Sequence, residues 1–394
     1  MRVCMITSSF PTSVEGTHGT FVFQMARQVA RLPGYEVTVL APDTSTAPMR
    51  HQLDGVTVKR FQYFYPRRSS FLCEGAGIPA NISSPLGKLQ LMTYCITSSL
   101  AALREKHVDV VHAHWPIPNA LGPLIRSRAS SLPYVTTVYG AEVYLAKRYH
   151  LGALLRLLVD SSAKSIAISK ATRLACLGCG APEQKLDIIP LGVDTSTFRP
   201  IRLARSDHAP LRIISVGRLV ERKGFEYLIE AVAILATEGH RLKLEIAGAG
   251  PSESTLRQQI GDLGAERYVK LLGNKSPTEL ISLYNEADIF VLPPIVDSKG
   301  DTEGLGVVYL EAMACGLPVI GTRVGGVPDV VEHEYNGLLV PEKDAQALAR
   351  AILDLVADDS KRERLALNSL RLARQKYDWQ HIAKRYAAVY ESVC

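Results

Sequence analysis

The chain has 394 residues, 47% hydrophobic and 21% charged, with a net charge of +6. That balance excludes a disordered protein, and the length exceeds one ordinary core, so two domains are expected. The charge is uneven: residues 1–200 hold 21 Lys and Arg against 12 Asp and Glu, the remainder 24 against 27. The first half thus presents a positive field suited to an anionic partner or to membrane head groups, or simply a solvated basic surface. No nucleic-acid motif is present, and the basic residues are not interleaved with aromatics, which argues against DNA or RNA.

The opening MRVCMITSSF has a short apolar run and no small-residue cleavage site, so it reads as a first strand rather than a signal peptide. No apolar run reaches bilayer-spanning length. Seven scattered cysteines, an odd number, point to reduced thiols and a cytoplasmic protein, with peripheral contact at the inner face of a membrane compatible with the basic half. Cys176 and Cys179 form a CxxC, but no second CxxC or HxxxH completes a zinc site.

After the first strand comes a polar loop with Gly16, His18 and Gly19, then a helix from about Thr20 to Leu32. EVTVLA and VTVKRF follow, then an irregular Pro-, Gly- and Ser-rich stretch over about 62–87 and a helix at about 88–106. DVVHAHW, YVTTVYG, SIAIS and LDIIPLGV come next, separated by helices. Short Val- and Ile-rich strands alternating with amphipathic helices predict parallel strands buried on both faces, an α/β doubly wound sheet. Residues 199–210 are polar and Pro-bounded, a linker, after which the pattern restarts with LRIISVG, a helix at about 225–237, LKLEIAG, YVKLLG, DIFVLPP, PVIGT and GLLVP. The expected division is 1–198, a linker 199–210, 211–376, and a final segment 377–394 with an amphipathic helix. Two Rossmann-like domains facing each other would bind a ligand between them, outside the carboxyl ends of their strands.

In the second half, four loops follow predicted strands. Gly217-Arg218-Leu219-Val220-Glu221-Arg222-Lys223-Gly224 places cations and glycines directly before a helix, which suits a diphosphate. Gly248-Ala249-Gly250-Pro251 permits tight strand–helix packing. Gly273-Asn274-Lys275 offers groups that could line a base pocket. The fourth runs from Asp301 through Glu303, Gly304, Leu305 and Gly306 into a helix with Glu311. If helical, the eight residues from Glu303 to Glu311 span about 12 Å. That is too far for a shared acid/base task, since glycosidase pairs sit roughly 5 to 9.5 Å apart; it matches two ends of an extended ligand.

The E-x7-E pair, EAMACGLPVIGTRVGGVPDVV, NGLLVP and the upstream SVGRLVERKG together resemble the retaining GT-B glycosyltransferases of family 4, most strongly over 185–345. The resemblance implies a nucleoside-diphosphate sugar donor (UDP, GDP or ADP) and a hexose-type transfer to a saccharide or lipid-linked acceptor. Arg218 and Lys223, beside Gly217, would bind the diphosphate; Glu303 would contact sugar hydroxyls, and Glu311 the ribose. Backbone at Gly304, Leu305 and Gly306 would touch sugar and phosphate, and Leu338 would border the nucleoside. The loop with Gly16 and Gly19 would face the donor phosphates and the acceptor, with His18 beside them, and the C-terminal helix would cross back to the first domain.

One position departs from the family. Where members often read His-Gly followed by an acidic residue, this chain has Tyr139, Gly140 and Glu142. Tyr is a poor base near neutral pH. His114, His18 or Glu142 compensates, or no base is required; Glu142 equally suits a structural helix start. His112 and His114 share one strand face, and no third ligand for a metal is apparent. Asp297 and Asp301 are four apart, so no Asp-x-Asp marks a metal-held diphosphate. Rival readings are an epimerase or phosphorylase on the same fold, or a non-catalytic nucleotide-sugar-binding protein. Arg67, Arg68, Arg126, Arg128, Lys147 and Arg148 favour a lipid-linked or anionic acceptor.

Overall fold

The computed structural model describes all residues except 15, 17, 18, 45, 46, 76 and 202–209. The chain forms two compact units, Met1–Leu191 with Trp379–Cys394, and Gly192–Asp378.

In the first unit the strands are β1 (Arg2–Ile6), β2 (Glu36–Pro42), β3 (Arg50–Leu53), β4 (Val56–Phe61), β5 (Val110–His114), β6 (Tyr134–Val138), β7 (Lys164–Ala167) and β8 (Leu186–Ile188). Their order is β3-β4-β2-β1-β5-β6-β7-β8. β5 and β6 are buried at every residue, as a sheet covered on both faces requires. β3 corrects the expectation of uniformly parallel strands: it runs antiparallel to β4. Its sequence, RHQL, lacks the apolar run of a central strand and suits a solvated edge. The long helix begins at Pro85, earlier than expected, because Ser84 accepts from Gly87 N and Pro85 supplies a preset first turn. The stretch read as irregular also holds a short helix, Ile78–Asn81. The last helix, Trp379–Val393, belongs to this unit; Tyr35 Oη donates to Glu391 at 2.8 Å, and Tyr390 Oη meets His112 Nδ1 at 2.7 Å.

The second unit has β9 (Leu211–Val216), β10 (Leu242–Ala247), β11 (Val269–Gly273), β12 (Ile289–Val291), β13 (Val319–Thr322) and β14 (Gly337–Val340), all paired in parallel. The order β11-β10-β9-β12-β13-β14 is the Rossmann order. Residues 192–198 fall in this unit, not the first, because Val193 N donates to Tyr377 O at 2.8 Å. Most of the expected linker, 202–209, lies outside the described residues.

Candidate active site

In an open parallel sheet the ligand crevice lies where strand order reverses, at the carboxyl ends of the two strands involved. In the second unit those strands are β9 and β12. The loop after β9 carries Arg218 and Lys223; the loop after β12 carries Glu303. Gly250 lies so close that a Cβ would sit 2.3 Å from Leu219 O, and a Cβ on Gly248 would sit 1.9 Å from Gly217 O. The Gly-Ala-Gly-Pro turn therefore packs against the cation loop. Gly224, at φ +64, ends that loop and caps helix Phe225–Thr237; a Cβ there would meet Pro293 O at 2.0 Å. Glu221 latches the two loops, accepting from Ser298 N and Oγ at 2.8 Å each.

Lys223 is buried, and its Nζ donates to Glu303 Oε2. Arg222 approaches the same oxygen at 3.4 Å and Asp301 at 3.6 Å. Burial raises the Glu303 carboxyl, but Lys223 and Arg222 outweigh it and hold the group below its ordinary range. Burial also pulls the Lys223 ammonium down, more than Glu303 restores, and Arg222 and Arg218 add like-charge repulsion. Arg218 is exposed and takes no ion-pair partner among the described residues. Its guanidinium is depressed by partial burial and by Arg222, against the pull of Asp301. A crowded set of cations with one member unpaired, at a helix N-terminus, has the chemistry that suits an anion.

Glu311 stands on helix Val307–Ala314 and accepts from Tyr284 Oη at 2.9 Å. Burial raises its carboxyl, and that hydrogen bond offsets part of the rise. The helical condition on the Glu303–Glu311 spacing is met only from Val307: as the sequence reading placed it, the helix starts just after Gly306, which is left-handed at φ +86. The glycine is needed because a Cβ would sit 2.6 Å from the Tyr309 ring. Leu305 and Leu338 are buried, the latter in β14 opposite Ile320. Asn274 is exposed, and Lys275 pairs with Glu279 at 3.1 Å, where Glu279 completes a capping box with Ser276; this cation serves a helix start.

Arg222, Tyr284, Gly325 and Gly326 contact the candidate residues, and the sequence reading gave none of them a role of its own. A Cβ on Gly325 would lie 2.1 Å from Glu303 O, and one on Gly326 2.1 Å from Gly304 O. The Gly-Gly pair thus seats the acidic loop. The signal was present as VGGVP after β13, but its partner lies about twenty residues earlier in the chain.

In the first unit the order reverses between β1 and β5. Gly19, at φ +66, caps helix Thr20–Ala30, and a Cβ would stand 2.4 Å from Ser9 O. Gly16 lines a cavity of about 340 Å³ with Ser9, Pro11, Asp43, Arg60 and Tyr63. His18 lies outside the described residues. At the end of β5, His114 Nδ1 and Tyr139 Oη share a hydrogen bond of 2.6 Å. The Tyr139 ring is buried and packs in a triangle with Phe21 and Trp115, at 5.1 and 4.6 Å, while those two rings lie 5.6 Å from each other. Burial keeps both histidines neutral: His112 falls to about 3, and His114 well below its usual value with a contribution from His112. Neither imidazole is therefore protonated near neutral pH. Among the described residues, no cluster of three or more His, Cys, Asp or Glu is arranged to hold a metal. All seven cysteines are free thiols.

Glu142 is buried in the first turn of helix Ala141–Arg148. Its Oε1 accepts from Tyr139 N at 2.8 Å, and Oε2 is buried without a partner. Burial lifts the carboxyl from 4.5 to about 7, against hydrogen bonds from its own, Tyr139 and Gly140 backbone. A raised acid stabilises the fold fully below its unfolded value, and that stability is lost as pH rises through the folded value. Glu142→Gln is therefore expected to leave the melting temperature unchanged near pH 4 and to raise it at pH 8, by about 3 kcal/mol of stability at most. Calorimetry at the two pH values decides it; an equal shift at both would refute the assignment.

The family model of glycosyl transferases group 1 matches residues 203–371, and that of glycosyltransferase family 4 matches residues 18–197. The amylovoran biosynthesis glycosyltransferase AmsK of Erwinia amylovora is 30% identical over 98% of this chain and 98% of its own. The GDP-mannose-dependent alpha-(1-6)-phosphatidylinositol monomannoside mannosyltransferase of Mycolicibacterium smegmatis is 32% identical over 76% of this chain and 81% of its own. Among solved structures, sucrose-phosphate synthase from Thermosynechococcus elongatus matches with a TM-score of 0.82, covering 100% of this chain and 98% of that one at 19% identity, a likeness of fold.

Proposed function

Because the chain belongs to the group 1 glycosyltransferases of family 4, with a GT-B fold of two Rossmann-like α/β units, we propose that it is a retaining, metal-independent hexosyltransferase. The donor is a nucleoside-diphosphate sugar, and the acceptor is a saccharide or lipid-linked hydroxyl. The observation that carries this reading is the cation set at the β9–β12 reversal: exposed Arg218, with Arg222 and Lys223 around Glu303. Arg218 and the N-terminus of helix Phe225–Thr237 bind the diphosphate. Lys223 holds Glu303 in place to accept from sugar hydroxyls, and Glu311 takes the ribose.

As the bond from the anomeric carbon to the diphosphate oxygen breaks, negative charge grows on phosphate and positive charge on the sugar. The cations and the helix N-terminus stabilise the leaving group, where preorganised charge has its greatest effect. The acceptor oxygen bonds to the same carbon from the leaving-group face, and its proton passes to the departing diphosphate. No separate base is needed, which fits Tyr139, whose hydroxyl is committed to His114. The first unit supplies the acceptor side.

The test is donor hydrolysis across a panel of nucleotide sugars, starting with GDP-mannose, the donor in the name of the mycobacterial relative. One nucleotide should be preferred clearly, and Glu311→Ala should raise KM for it by about tenfold with a smaller change in kcat, as loss of uniform binding requires. Hydrolysis of no donor, with or without candidate acceptors, would refute the reading.

A further inference from the structure

Helix Pro85–Arg104 buries Gln90, Tyr94, Ser98 and Ala102 on one face. The opposite face carries Leu86, Leu89, Met92, Ile96, Leu100 and Leu103, which are 38% to 64% exposed. Steps of three and four residues place all six in one stripe about 120° wide. An apolar stripe of five turns on the solvent side of a helix marks a surface that another phase or molecule covers. Helix Leu121–Ser130 packs alongside, with Arg126 donating to Ala102 O at 2.8 Å, and adds exposed Ile125.

The charge on the two helices has one sign, and Glu105, just past the first, is paired with Lys59. Lys88 and Arg104 on the helix and Arg128 on its neighbour are exposed. Residues 75–104 and 110–141 contain no Asp or Glu. On the other flank, Gln90 anchors the segment bearing exposed Tyr65 and Arg68, accepting from Phe71 N and donating to Ser69 O. Apolar side chains rimmed by cations and an exposed tyrosine are the composition of a helix lying in a bilayer interface.

We propose that this face docks the protein on the surface of an anionic lipid bilayer, with the stripe entering the acyl boundary and Lys88, Arg104 and Arg128 meeting lipid phosphates. Among the described residues no helix is long and apolar enough to cross a membrane, so the helix lies on the bilayer. A second copy of the chain fits the face less well, because a two-fold contact would bring the same cations together with no carboxylate between them. The inference does not depend on which donor or acceptor is used.

Flotation of the full chain with phosphatidylcholine vesicles, with and without about a third phosphatidylglycerol, tests it in the absence of donor. Binding to the anionic vesicles is expected, weakened at about 0.5 M salt. Leu89→Gln/Met92→Gln/Ile96→Gln should weaken it by about tenfold or more, and Lys88→Gln/Arg104→Gln/Arg128→Gln should remove its preference for anionic lipid. Both variants should keep donor hydrolysis, which shows that they fold. Failure of the unaltered chain to bind anionic vesicles overturns the proposal, as does equal binding by the apolar variant. A solution dimer that the apolar variant dissolves, without vesicle binding, would reassign the face to a second copy.

Discussion

Lys223→Ala is expected to lower turnover of the nucleoside-diphosphate sugar by about a hundredfold, the scale of misplacing a group near the reacting centre, because Glu303 loses the ammonium that seats it. The same substitution should destabilise the fold. Lys223 Nζ donates to Glu303 Oε2, and both side chains are almost wholly covered. Breaking a buried pair by removing one partner typically costs about 3–5 kcal/mol. Arg222, 3.4 Å from the same oxygen, should keep the loss near the lower end. Two effects then coincide, and a second variant separates them. Lys223→Met/Glu303→Leu replaces the pair by apolar groups, which tends to restore stability; turnover should stay lost. Recovery of turnover along with stability would show that the pair is only a structural prop. The pH dependence gives an independent check. Glu303 is held below its ordinary range, so its contribution is present above the unfolded carboxyl value, about 4.3, and is lost as pH falls through the folded value. The stability gap between the parent and Lys223→Ala, followed by calorimetry, should therefore narrow in acid.

The loops of the candidate site were legible as elements because each lies within a short window: Arg218, Lys223 and Gly224 sit between a strand and a helix, as the sequence reading placed them, where cations suit a phosphate. The edge strand β3 was not legible: RHQL has no periodicity, and only pairing with β4 makes it a strand. Nor was the direct pairing of Lys223 with Glu303, which joins positions 80 apart through the adjacency of β9 and β12. The helix start was legible: the loop through Glu303 was read as entering its helix after Gly306, and Gly306, left-handed, caps a helix that begins at Val307. The departure at Tyr139 could be read as a lost catalytic group, but its consequence needed geometry. With the hydroxyl bonded to His114 and the ring packed against both Phe21 and Trp115, the residue fills a buried aromatic cluster.

Gly326→Ala should reduce donor turnover by about a hundredfold, the scale of a misplacement near 1 Å at a reacting centre, while the protein stays folded. Its backbone is at φ −88 and ψ 3, a turn conformation that is open to L-residues. The difficulty is steric and local: the added carbon would lie 2.1 Å from Gly304 O and 3.0 Å from Leu305 Cα. Those atoms are backbone and cannot rotate away, so the Glu303–Gly304–Leu305 segment must shift. Gly326 N also donates to Glu303 O at 2.9 Å, so the same shift strains the bond that seats the acidic loop. The neighbouring Gly325→Ala combines an equal clash, 2.1 Å from Glu303 O, with φ +53, and should lose more stability for a similar loss of turnover. Gly239→Ala and Gly264→Ala are the controls. Both positions have left-handed backbone with nothing within 4 Å of the added carbon. Each should cost about 1 kcal/mol of backbone strain and leave turnover unchanged. If Gly326→Ala turned over donor as fast as these controls, the acidic loop would not depend on the Gly-Gly seat, and the placement of Glu303 would have to rest on Lys223 and Arg222 alone.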